Sequence, residues 1–217
     1  MKIVSNIITT VFEFFCGLVI TVSLFFLYDS LTIEKQAEAD IYTDLKPSVE
    51  ENLSLEDLQA INPDVVGWLT IDNTNIDYPV LQNTDEYSYL NRDVYGNTSL
   101  TGSLYIDKNA SWDDDYIVIY GHHMSGGLMF GGLDYFLDAD YFDSHQTGTL
   151  ITNDKIYSIT PIRVEEIDAY DRIYLYGDYE ILVEKYDDLE EGKYLILSTC
   201  RGEGTDRLIL IALLEEI

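Results

Sequence analysis

Apolar positions along this chain fall into three regimes: a long unbroken run, a sparse acidic stretch, and short alternating segments. The run extends from Ile7 to Tyr28 with a single charge at Glu13. It is long enough to cross the roughly 30 Å hydrocarbon core of a bilayer as one helix. Its end, Leu24-Phe-Phe-Leu-Tyr28, is bulky and aromatic rather than small, which favours an uncleaved anchor over a signal peptide. Lys2 precedes the run, and Asp29 and Glu34 follow it. This asymmetry places the N-terminus in the cytoplasm and everything after the span outside, in a single-pass arrangement at the cell membrane.

From residue 30 to about 53 the chain is polar and acidic, with Leu31, Ile33, Ala37, Ile41 and Leu45 at mixed spacings. This predicts a helix or helical stalk that ends before Pro47. Ser54, with Asp57 three positions on, opens a short second helix that Pro63 closes. These two elements either pack on the base of the following domain or act as a spacer. The expected organisation is a stub and anchor over 1–28, N-terminal helices over 29–62 and a folded domain over 63–217.

From Val65 the apolar period shortens to that of strands. Predicted strands are Val65–Ile71, Ile76–Leu81, Ser103–Ile106, Tyr116–Tyr120, Thr149–Thr152, Ile156–Ile167, Tyr194–Thr199 and Leu208–Leu214. Short strands at irregular intervals, about eight in number, point to a mainly β, closed or nearly closed barrel rather than a parallel βαβ sheet. Helical insertions are expected where Leu128, Met129, Leu133, Phe136 and Leu137 form an apolar face, and again over Tyr179–Leu189.

Charge narrows the function. The chain has 40 acidic against 12 basic residues, for a net charge of −28, a field that repels nucleic acid. With 47% hydrophobic residues and 18 tyrosines there is too much apolar surface for disorder, so the acids must coat a folded body. Of the two cysteines, Cys16 lies in the anchor, which leaves Cys200 as a free thiol in an exported domain.

Cys200 ends an apolar strand, Tyr194-Leu-Ile-Leu-Ser-Thr-Cys200, and a glycine-containing turn leads from it to Arg207 and the next apolar run. An unpaired cysteine is either a small buried hydrophobe or a nucleophile. The second reading needs a base and an oxyanion donor. His122, in Tyr120-Gly-His-His-Met124, is the candidate base and Arg207 the candidate donor. Adjacent strand residues face opposite ways, so His122 and His123 do not point at one metal, and no metal site or cofactor is expected. Arg201 is the rival arginine, but it follows Cys200 directly and so projects to the other side of the strand end.

Together, Tyr120-Gly-His-His-Met with the following Gly-Leu-Met-Phe, Leu197-Ser-Thr-Cys200, and Asp206-Arg-Leu-Ile-Leu resemble the sortases, cysteine transpeptidases of Gram-positive surfaces, most of all class B. The likeness covers residues from about 55 to 217. It implies an eight-stranded sortase barrel with a helical insertion between strands six and seven. It also implies that Cys200 forms a thioester at a Thr of a C-terminal sorting signal, with His122 as acid and base and Arg207 at the oxyanion. The implied partners are surface proteins or pilins carrying that signal, and an amine on a peptidoglycan precursor or a pilin lysine. Ser198, Leu90, Tyr174 and Leu175 match substrate-groove positions. Glu86 departs from the family, standing where a neutral polar residue is expected, and the interval from Cys200 to Arg207 is short. A non-catalytic anchored surface protein and a thiol peptidase that releases product to water stand beside this reading.

Overall fold

The N-terminal apolar run and part of the acidic stretch after it form one continuous helix, α1 (Lys2–Ala37), in the computed structural model, which describes residues 2–47, 54–85, 88–202 and 204–217. No proline occurs in this span to interrupt it, and Thr21 and Thr32 satisfy their hydroxyls within the helix, on the carbonyls of Gly17 and Tyr28, each at 2.9 Å. It is long and apolar enough to cross a membrane, and its Phe, Leu, Ile and Val side chains from Ile7 to Leu31 are exposed. The chain divides into two units, Met1–Gln36 and Ala37–Ile217. Glu86 lies outside the described residues.

In the second unit the N-terminal segments pack on the domain. The backbone tightens to a 3-10 helix over Ala39–Leu45, and Tyr42 buries its ring edge-on to Tyr78, with centroids 6.4 Å apart. The Tyr78 hydroxyl donates to the Ala37 carbonyl at 2.8 Å. Helix α2 (Leu55–Ile61) opens as its sequence predicts: the Asp57 carboxylate reaches back to the Ser54 N–H at 2.8 Å, and Leu55 and Leu58 face the core.

Eight strands follow: β1 (Val65–Ile71), β2 (Asp77–Gln82), β3 (Leu104–Ile106), β4 (Tyr116–Tyr120), β5 (Gly148–Thr152), β6 (Ile156–Asp168), β7 (Lys193–Cys200) and β8 (Asp206–Glu216). They close into a barrel in the order β1-β2-β3-β4-β7-β8-β6-β5. Two neighbouring pairs are parallel, β2 with β3 and β4 with β7. On the long strand β6 the register shifts between Pro161 and Arg163, and a proline, lacking a backbone donor, fits such a bulge.

Strand alternation sorts β4, β7 and β8 into two buried faces. Ile117, Ile119, Leu195, Leu197, Leu208 and Leu210 point into the barrel. Tyr116, Val118, Tyr194, Ile196, Ile209 and Ile211 point outward and are buried as well. Their cover is the insertion between β6 and β7, helices α4 (Arg172–Tyr176) and α5 (Tyr179–Lys185), which supplies Ile173, Leu182 and Tyr186. Double-sided burial is why these strands read as continuous apolar runs instead of alternating ones. The insertion after β4 forms a 3-10 helix over Phe130–Leu137 and helix α3 (Ala139–Ser144), with Phe130, Leu133 and Phe136 buried.

A chain starting at Ala37 should therefore stay folded and soluble without detergent, since its buried contacts to Tyr78 remain. One starting at Pro63 loses Tyr42, Leu55 and Leu58, each worth about 1.5–3 kcal/mol of burial, and should melt well below it. Circular dichroism melts of the two truncations check this. Aggregation of the longer truncation, with the full chain well behaved in detergent, would place the domain boundary elsewhere.

Candidate active site

The parallel pairing of β4 with β7 runs from Tyr116 opposite Tyr194 to Tyr120 opposite Ser198. It continues past the strand end: the Gly121 N–H donates to the Ser198 carbonyl at 3.1 Å, and the Thr199 hydroxyl donates to the Gly121 carbonyl at 2.8 Å. The next positions in this register are His122 and Cys200. Strand β8 runs antiparallel on the other side of β7 and sets Arg207 directly opposite Cys200. Paired residues on adjacent strands share a face, so Cys200 and Arg207 lie side by side on the outer face of the barrel, and the extension of β4 carries His122 towards the same rim. Gly121 permits the close passage, since a Cβ there would come within 2.5 Å of Leu104 Cδ2 and 2.7 Å of Phe130 Cδ2.

On this face the α4–α5 cover stops short of the strand ends. Cys200 is exposed. Two residues before it, Ser198 is 1% exposed, and its Oγ has no hydrogen-bond partner among the described residues. Tyrosines wall the site: Tyr105 stacks on Tyr120 at 5.4 Å, Tyr174 meets Tyr120 edge-on at 5.9 Å, and the Arg207 guanidinium lies 5.9 Å from the Tyr174 ring centre. Burial pushes the Tyr105 phenol up to about 12 and raises that of Tyr120 too. Both therefore stay protonated at neutral pH, able to donate a hydrogen bond but not to serve as bases. Leu175 follows Tyr174 in α4; its side chain is outside the described set.

The two histidines diverge. His122 Nε2 lies 2.7 Å from the Leu90 carbonyl oxygen. A carbonyl only accepts, so Nε2 carries a proton and donates it, which leaves Nδ1 as the nitrogen not held by that bond. His123 Nε2 instead meets Asp134 Oδ2 at 2.9 Å. The arginines diverge as well. Arg201 pairs with Asp134 and, through Nε, with Glu166 at 3.1 Å. Arg207 Nη1 donates to the carbonyls of Thr205 and Asp206 at 3.2 and 3.0 Å, leaving its charge unneutralised by those partners.

Leu90 was singled out from sequence for its side chain, which is 45% exposed, yet its carbonyl is what holds the imidazole. That carbonyl is set by the 3-10 turn Tyr89–Asn91, tied down where the Ser103 N–H donates to the Tyr89 carbonyl at 2.9 Å. Gly102 makes the approach possible: its φ is +59°, and a Cβ there would sit 2.4 Å from the Leu90 oxygen. In sequence, Gly102 reads only as a turn glycine before a strand, and a carbonyl contact leaves no residue-type signal.

A family model of the sortase domain matches residues 69–215. This chain belongs to the sortase family. It is similar to Sortase B of Listeria monocytogenes, with 33% identity over 162 residues, covering 73% of this chain and 65% of that protein's length. The crystal structure of Staphylococcus aureus Sortase B aligns with a TM-score of 0.67 at 25% identity, over 75% of this chain and 86% of that one. A class B sortase from Streptococcus pyogenes involved in pilus biogenesis aligns with a TM-score of 0.67 at 29% identity, over 76% of this chain and all of that one (100%). The closed barrel of this sortase thus has class B counterparts.

Gly102→Ala forces a residue with a side chain into left-handed backbone, at about 1–2 kcal/mol, and drives its Cβ into the Leu90 carbonyl. The variant should lose several degrees of melting temperature and also lose turnover when activity is normalised to folded protein. Unchanged turnover per folded molecule would show that the Leu90 carbonyl does not orient His122.

Proposed function

We propose that this sortase is a membrane-anchored cysteine transpeptidase acting on C-terminal sorting signals, with Cys200, His122 and Arg207 as its catalytic residues. The observation that carries the reading is the pairing of Cys200 with Arg207 across β7 and β8, with His122 on the adjoining extension of β4. The Cys200 thiol gives its proton to His122 Nδ1 as the sulfur attacks the carbonyl carbon of a Thr in the bound signal, forming a tetrahedral oxyanion. Arg207 donates to that oxygen, since its present partners are exchangeable carbonyls rather than carboxylates. The C–N bond breaks as His122 Nδ1 passes that proton to the departing amine, leaving an acyl thioester on Cys200. An incoming amine loses its proton to His122 and attacks the thioester, so one imidazole serves both steps. The C–S bond then breaks, His122 returns that proton to the Cys200 sulfur, and the new amide leaves with the thiol restored.

Ser198 suits a peptide-binding role, because a buried hydroxyl without a partner is costly until a ligand supplies one. Leu90, Tyr174 and Leu175 would line the same groove. The acceptor is an amine on a peptidoglycan precursor or a pilin lysine. Helix α1 would hold the enzyme in the cell membrane with the barrel outside, near both acceptors.

Intact-mass spectrometry of the full chain in detergent, mixed with a Thr-Gly or Thr-Asn sorting peptide and an amine, tests the reaction. The expected result is an acyl adduct on Cys200 followed by transfer to the amine. Cys200→Ala should abolish both, and His122→Ala should abolish turnover, while His123→Ala should keep a measurable part. Products unchanged by added amine would favour a hydrolase, and no adduct with any sorting peptide would favour a non-catalytic surface protein.

The arginines are separated by lysine substitution, which keeps charge but loses the planar fork. Arg207→Lys should lower turnover by about 10²-fold or more, the scale of a lost oxyanion donor. Arg201→Lys should be mild. Steady-state kinetics decide, and the reverse order would contradict the assignment.

A further inference from the structure

The residues that follow the two proposed catalytic groups, His123 after His122 and Arg201 after Cys200, meet on a single carboxylate. Asp134 accepts from His123 Nε2 through Oδ2 at 2.9 Å and from Arg201 Nη1 through Oδ1. Arg201 extends the chain of charges to Glu166 on β6, Nε to Oε1 at 3.1 Å. Because neighbouring residues of extended backbone project to opposite sides, a group that binds residues 123 and 201 together grips the catalytic pair from behind.

Asp134 is well anchored for this. It sits in the 3-10 helix Phe130–Leu137, whose first N–H, that of Phe130, donates to the His122 carbonyl at 3.0 Å. A Cβ on Gly131 would lie 1.9 Å from the Met124 carbonyl oxygen, so helix and histidine loop are in close backbone contact. The Arg201 backbone is fixed too, its N–H donating to the Asp206 carbonyl at 2.8 Å across the β7–β8 turn. Neither fixture links His122 to Cys200 beyond the last β4–β7 hydrogen bonds, whereas Asp134 does.

We infer that Asp134 is a positioning residue: it sets the separation of the His122 imidazole and the Cys200 sulfur by holding the residue after each. The inference rests on the proposed roles of His122 and Cys200. An exposed ion pair by itself contributes little to stability, so the effect belongs in turnover more than in melting temperature. Both carboxylate oxygens are engaged, and an apolar residue of similar size breaks both ties at once.

The test uses the full chain in detergent with sorting peptide and amine, in a Cys16→Ser background so that a thiol reagent titrates Cys200 alone, and rates are normalised to that titre. Asp134→Leu should lower kcat by about tenfold or more, the scale of a misplaced catalytic group, while KM stays within about twofold. Asp134→Glu should recover part of the loss. Adding Arg201→Met to Asp134→Leu should cost little more, because the two act through one tie. If Asp134→Leu does not fold, Asp134→Asn removes the charge at nearly constant shape and should show the same split between kcat and KM. A kcat within twofold of wild type in the folded variant, or a loss that disappears on normalisation, overturns the role of Asp134 alone. A wild-type chain that forms no thioester overturns both this role and the transpeptidase reading.

Discussion

The parallel pairing of β4 with β7 is the constraint on which the site depends. Strands that run the same way end at the same rim, so the residues just past β4 and at the end of β7 arrive side by side although a long stretch of chain separates them. An antiparallel pair would put His122 and Cys200 at opposite ends of the barrel. Parallel neighbours require a crossover, and the chain spends that crossover on β5, β6 and the α4–α5 cover. The antiparallel return of β8 then brings Arg207 opposite Cys200 within a short turn.

The cover explains where the groove begins. Helices α4 and α5 bury the outer face of β4, β7 and β8 as far as Ile196 and Ile209, and beyond them the same face carries Tyr120, Ser198, Cys200 and Arg207. Tyr174, at the edge of the cover, touches both Tyr120 and Arg207. Charge is handled by segregation. In a chain of net charge −28, Arg201 is matched by Asp134 and Glu166, while among the described residues Arg207 forms no ion pair. A cation left with carbonyl partners beside an exposed thiol is positioned to meet an incoming negative charge.

Much of this was legible in the chain. Strand periods from Val65 onward located all eight strands to within a residue or two, because half-buried and fully buried strands both write burial into residue type. The seat of Cys200 at a strand exit followed from the same pattern. The pattern does not name a strand's neighbour, so the parallel β4–β7 pair was not legible in the chain, and the joint roles of His122 and Cys200 came from the family resemblance and not from periodicity. Whether the segment before Val65 packs or spaces was open in sequence and is decided by Tyr42, Leu55 and Leu58 in the core. The Leu90 carbonyl and the Asp134 bridge were invisible for different reasons. A backbone acceptor has no residue signature, and a surface-type acid is one among 40.

Cross-linking tests the register most directly. With Cys16→Ser removing the other thiol, His122→Cys should form a disulfide with Cys200 under mild oxidation, since adjacent positions on a parallel pair fall within the roughly 4.4–6.8 Å Cα separation that a disulfide spans. Both thiols should become unreactive to alkylation in the folded, full-length chain, and His123→Cys should leave both free. Cross-linking at 123 with none at 122 would contradict the register, and with it the pairing of His122 and Cys200 on which the proposed chemistry stands.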